Sequence, residues 1–114
     1  MKIKIEIIEL MFQHKFKIQI NPDTKHVHIG FRISENYVQN YVISLESAAK
    51  LFNPKIEILN ITCGSGTWWY KKLKNHHKLF FKNIDRDEHF RFSYEDWNEL
   101  RTMFAAALVK NKLA

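Results

Sequence analysis

Apolar and polar residues alternate along most of this chain. Ile3, Ile5 and Ile7 face one way and Lys2, Lys4 and Glu6 the other, so residues 3–10 read as a half-buried strand. Phe16, Ile18 and Ile20 repeat the pattern against Lys15, Lys17 and Gln19. Asn21-Pro22-Asp23-Thr24 supplies a turn, because proline presets one turn dihedral and Asn and Asp side chains bond their own backbone. A third strand alternates Val27, Ile29, Phe31 and Ile33 with His26, His28 and Arg32, and a fourth, Tyr37–Ile43, follows a turn at Ser34-Glu35-Asn36. Ser44 is placed to cap a short helix, Leu45–Phe52. Asn53-Pro54 ends it, because the residue before proline avoids helical backbone.

The order then recurs. Ile56, Ile58 and Ile61 mark a fifth strand, and Cys63-Gly64-Ser65-Gly66 a flexible turn. Thr67–Leu73 and Lys78–Ile84 read as the sixth and seventh strands, joined around Asn75-His76-His77. Asp85-Arg86-Asp87-Glu88 reads as a polar turn and His89–Phe92 as a short eighth strand. Ser93 caps a last helix from Tyr94 to about Lys110, in which Trp97, Leu100, Phe104 and Leu108 recur at helical spacing. The pattern predicts an α+β protein: an antiparallel β-sheet with two helices, the longer one C-terminal. It forms a single domain over residues 1–114, divisible into pseudo-repeats 1–54 and 55–114. Val42-Ile43-Ser44-Leu45-Glu46 matches Arg91-Phe92-Ser93-Tyr94-Glu95 as strand, capping serine, bulky apolar residue and glutamate.

Composition narrows the function classes. No apolar run approaches the ~20 residues of a membrane-spanning helix. The N-terminus, charged at every second position, lacks the apolar stretch of a signal peptide. Cys63 is the single cysteine, so no internal disulfide forms; a reducing, cytoplasmic setting is expected, the host cytoplasm if the source is viral. The formal charge of +6 favours polyanionic partners. Its placement matters more, because Lys71, Lys72, Lys74, Lys78 and Lys82 fall in a stretch with no acid.

That stretch also holds Trp68, Trp69 and Tyr70. Single-strand binders need cations to follow phosphates and flat rings on which bases stack. Alternation puts Trp69, Lys71 and Leu73 on one strand face and Trp68, Tyr70 and Lys72 on the other, so each face mixes a ring with lysine. These residues are the candidate site, with Arg32, Tyr37 and Tyr41 from the first half as secondary candidates. The expected partner is single-stranded DNA or RNA, with no cofactor, no membrane and no catalytic residue assigned; a homodimer through uncovered strand edges is also expected. The same rings and cations would suit a protein partner, as in a phage-encoded inhibitor of a host enzyme. A third reading starts from His26-Val27-His28, which looks like the His-hydrophobic-His strand of HUH endonucleases and would set two imidazoles toward one metal ion. Against it, the chain holds no Tyr-x-x-Lys to supply the tyrosine nucleophile.

Four antiparallel strands and a helix, used twice, resemble the plan of the Whirly and Pur-type proteins. With one copy per chain, they resemble the positive-cofactor-type transcriptional coactivators. Phe90-Arg91-Phe92-Ser93-Tyr94-Glu95-Asp96-Trp97 is similar in style to the coactivators' strand-to-helix step. The resemblance covers element order across nearly the whole chain and implies single-stranded DNA or RNA binding. The Whirly lysine-glycine-lysine-alanine signature and the Pur glycine-arginine-phenylalanine motif are absent, so no site residue carries over from these families.

Overall fold

Strand, turn and cap signals resolve into ten elements. They are β1 (Ile3–Glu9), β2 (Phe16–Asn21), β3 (His26–Ser34), β4 (Tyr37–Ser44), α1 (Leu45–Leu51), β5 (Ile58–Cys63), β6 (Gly66–Lys72), β7 (His77–Lys82), β8 (Arg86–Phe92) and α2 (Tyr94–Lys110). The structure is a computed structural model that describes residues 3–9, 15–63 and 66–113. The expected turn residues Gly64 and Ser65 lie outside the described residues, as does Leu10. Both helices start where a serine caps them: Ser44 Oγ accepts from Ser47 N and Ser93 Oγ from Asp96 N, each at 3.0 Å. Glu46, Glu95 and Asp96 sit in the first turns, toward the positive ends of the helix dipoles.

β6 begins one residue earlier than expected, at Gly66, and β7 and β8 also begin early. Asn83 Oδ1 accepts from Asp85 N at 2.8 Å and from Arg86 N at 2.7 Å, so the β7–β8 turn closes on Asn83. The polar run Arg86-Asp87-Glu88, expected as a turn, therefore opens β8. His77, expected in a loop, is the buried first residue of β7.

The strands divide into two sheets rather than one. β2, β3 and β4 form an antiparallel meander, and β5, β6, β7 and β8 form another. β1 leaves its own half of the chain and joins the second sheet beside β8, in parallel, from Ile3 opposite Arg86 to Glu9 opposite Arg91. The second sheet thus runs β1-β8-β7-β6-β5. Gly66 opens β6 at φ 155°, where a Cβ would stand 2.6 Å from Phe81 Cζ and 2.7 Å from the Lys82 carbonyl oxygen. A side chain is excluded there on both counts.

The sheets bury their facing sides against each other. Phe31 meets Phe90 at 5.0 Å, and Tyr41 meets Trp68 at 4.6 Å and Phe81 at 5.1 Å between ring centroids. Such tilted and edge-on pairs add to the area they bury. A polar cluster lies inside this layer. The buried Glu88 carboxylate accepts from Gln39 Nε2, from Tyr41 OH at 2.7 Å and from Arg86, whose ion pair is 2.7 Å long. The Arg86 guanidinium lies 4.8 Å from the Tyr41 ring centroid and 5.1 Å from that of Phe81. α2 buries Trp97, Leu100 and Phe104; Trp97 stacks on Tyr70 at 4.9 Å, and Phe104 meets Phe52 at 5.2 Å with tilted planes. Among the described residues no helix is long and apolar enough to cross a membrane.

Candidate nucleic-acid interface

Strand alternation decides which side chains leave the core. On β6, Trp68 and Tyr70 turn inward and Thr67, Trp69 and Lys71 outward. On β7, Leu79 and Phe81 turn inward and Lys78, Phe80 and Lys82 outward. On β8, Glu88, Phe90 and Phe92 turn inward and Asp87, His89 and Arg91 outward. Register then lines the outward residues up across the sheet. Asn60, Trp69, Phe80 and His89 share one row. Ile58, Lys71, Lys78 and Arg91 form the row on one side of it, and Thr62, Thr67, Lys82 and Asp87 the row on the other.

The central row is a stack of rings. Trp69 and Phe80 lie 5.2 Å apart between centroids with planes 15° apart, and Phe80 and His89 lie 5.1 Å apart at 9°. Rings lying flat on the sheet could not approach so closely with parallel planes. They stand upright, face to face, at close to the ~4.8 Å spacing of neighbouring strands. Phe80 is covered on both faces. Trp69 keeps its far face, toward β5, where its register partner is the exposed Asn60. His89 Nε2 meets Asp87 Oδ1 at 2.9 Å, which fixes the ring at the other end. α2 and the C-cap of α1 make ring contacts with the core through Trp97 and Phe52.

One flanking row supplies positive charge, and in the other Lys82 stands in register with Asp87. Lys71, Lys82 and Arg91 are exposed and Lys78 is half-exposed. His76, in the turn before β7, is held below its usual pKa by burial and then by the charges of Arg91 and Lys78. Lys74 is exposed in the same turn, which Tyr94 OH pins by donating to the carbonyls of Leu73 and Lys74, the latter at 2.9 Å. Lys72 shares the inward parity of Trp68 and Tyr70 but lies at the strand's end, exposed, with its ammonium 5.8 Å from the Tyr94 ring centroid.

Three sequence candidates belong to the core instead. Trp68 and Tyr70 are each 2% exposed, and Tyr41 is buried between the sheets. None presents a ring face to a base. Burial pushes the Tyr70 phenol up to about 12, and burial with the Glu88 carboxylate raises Tyr41 further, so both hydroxyls remain donors. Tyr70 OH is hydrogen-bonded to His77 Nδ1 at 2.6 Å. His77 stacks on Trp97 at 5.2 Å and is pushed down to about 4, by burial first and then by Arg101, Lys72 and His76. It is neutral near pH 7 and adds no charge to the surface.

Arg32 and Tyr37 lie on the three-stranded sheet, outside the ring and cation rows. Arg32 donates to the Glu35 carbonyl at 2.6 Å, and Tyr37 is 53% exposed. His26 and His28 are exposed on the outer face of that sheet, in register with Asn21 and Ser44 and with Gln19 and Val42. Among the described residues no three His, Cys, Asp or Glu side chains gather where they could hold a metal ion. The residues absent from the sequence candidates are Phe80, His89 and Arg91. Phe80 was legible, since Lys78 and Lys82 flank it at strand period; His89 and Arg91 needed the register of β8. Compared with protein-family models, curated proteins and solved structures, the chain matches none.

Proposed function

We propose that this protein binds single-stranded nucleic acid, without turnover, on the outer face of its five-stranded sheet. The observation that carries this is the upright stack Trp69–Phe80–His89 with Lys71, Lys78 and Arg91 along one side and Lys82 along the other. Neighbouring rows are two residues apart along each strand, roughly 7 Å. A nucleotide is about that long from base to phosphate, so its base reaches the rings while its phosphate lies among the cations. Each stacked base contributes about 1–3 kcal/mol whatever its identity, because every base has a π-face. Duplex bases stack on each other and offer no free face, so single strands are favoured. Affinity then falls with salt as phosphate contacts release counterions.

Fluorescence anisotropy with labelled single-stranded DNA, single-stranded RNA and duplex, at low and moderate salt, tests this. Salt-sensitive binding that prefers single strands is expected; indifference to salt refutes it. A second reading has one observation in its favour. Ile58, at the β5 end of the cation row, is 70% exposed, and an exposed apolar residue one row from a tryptophan also suits a protein-binding surface. Stoichiometric capture of a protein, with no oligonucleotide bound at low salt, would select that reading.

A further inference from the structure

The ring stack stops one strand short of the sheet edge. It advances by 5.2 and 5.1 Å from β6 to β7 to β8, but on the β5 side of Trp69 the next position is held by Asn60. β5 is the edge strand of the sheet, so among the described residues nothing in register lies beyond it. Asn60 is exposed, its side chain makes no hydrogen bond to a described residue, and it is too short to fill the space a fourth ring would take. We infer that this gap, bounded by the open face of Trp69 and floored by Asn60, is a slot for one unpaired base, and that Asn60 makes it prefer adenine.

A base in the slot continues the stack as the next ring. Its plane lies parallel to Trp69 and one edge points down at the sheet. There the Asn60 amide offers one acceptor and one donor side by side, the complement of the adenine N6 amino group and N7. As a purine, adenine also overlaps an indole with two rings, where cytosine and thymine bring one. Its sugar lies toward Ile58 and its phosphate toward Lys71, which occupy the adjoining row. The inference rests on single-strand binding at this surface and adds which base it reads, and where.

Equilibrium binding of oligo(dA), oligo(dC) and oligo(dT) of equal length, by wild type and by the Asn60→Ala, Asn60→Asp and Trp69→Ala proteins, tests it. Wild type is expected to favour oligo(dA) by roughly 5-fold, the low end of what a bidentate amide contact provides, because the free Watson–Crick edges of unpaired cytosine and thymine also offer the amide a donor and an acceptor. Asn60→Ala should collapse that ratio toward one and leave the salt slope unchanged. Asn60→Asp, which keeps the shape and removes the donor, should do the same to the ratio. Trp69→Ala should weaken binding to all three. Wild type without a preference for oligo(dA), or a preference unchanged in Asn60→Ala, overturns the slot while leaving single-strand binding standing. Failure of wild type to bind any of the three overturns both.

Discussion

Two adjacent tryptophans have opposite fates here, and separating them experimentally tests the assignment of faces. Trp68 is 2% exposed and packs on Tyr41 and Phe81, at 4.6 and 5.1 Å between centroids. Removing a buried tryptophan side chain costs about 3–5 kcal/mol. Domains of this kind are stable by only about 5–15 kcal/mol, so Trp68→Ala removes a large share of the total. Trp69 is half-exposed and contributes one stacked pair, with Phe80. Its loss should cost about 0.5–1.5 kcal/mol. With a urea m-value of about 2 kcal/mol per molar, the unfolding midpoint falls by about 1.5–2.5 M for Trp68→Ala and by less than about 0.8 M for Trp69→Ala. Trp68→Phe should fall between them, because the buried Trp68 Nε1 donor has no partner among the described residues and phenylalanine removes it. Far-UV circular dichroism is the assay, since fluorescence would change with the substitution itself. Equal losses at the two positions, or a larger loss at Trp69, would show that the faces of β6 are reversed.

His77 makes stability depend on pH. The folded protein holds it neutral down to about 4, whereas the unfolded chain protonates it near its usual pKa of about 6.5. The unfolded state therefore binds more protons between those values, and stability falls as pH falls through that window, by about 2 kcal/mol at pH 5. His77→Phe keeps a ring on Trp97 and removes the proton site, so the difference in urea midpoint between pH 7 and pH 5 should shrink; an unchanged difference would place the titration elsewhere. Glu88→Ala strands the Arg86 guanidinium and leaves Gln39 and Tyr41 without their acceptor, so a loss of about 3–5 kcal/mol is expected by urea unfolding. A loss under about 1 kcal/mol would mean that the cluster is solvated rather than buried.

The element order was legible because its signals are local. Period-2 alternation gives most of the strands, and a serine three residues before the helix amide it caps gives both helix starts. Sheet membership is not local. Ile3, Ile5 and Ile7 announce a strand, but nothing in their spacing says that it pairs in parallel with β8 instead of joining the meander that follows it. The candidate surface was legible in the same measure. Around β7 the sequence settles the faces, because Leu79 and Phe81 alternate with Lys78, Phe80 and Lys82. Around β6 it does not, because each face carries one tryptophan and one lysine; only packing against Tyr41 and Trp97 decides that Trp68 and Tyr70 go inside. His89 and Arg91 were legible as strand residues, but not the register that sets them beside Phe80 and Lys78; Arg86-Asp87-Glu88 has a composition that suits a turn, although Glu88 is held within the core by Gln39, Tyr41 and Arg86.

The cation row offers the most direct test of single-strand binding on the five-stranded sheet. Lys71, Lys78 and Arg91 changed together to Ala should leave the fold intact, since all three point out of the core. The dependence of log affinity on log salt for single-stranded DNA should become shallower by up to about 2, at roughly 0.7 for each phosphate that the protein no longer neutralises. A protein with Lys17, Lys50 and Lys110 changed instead carries the same change in charge on other surfaces and should keep the wild-type slope. Equal flattening in both proteins would mean that net charge alone attracts the strand, and would contradict a binding face built on Trp69, Phe80 and His89.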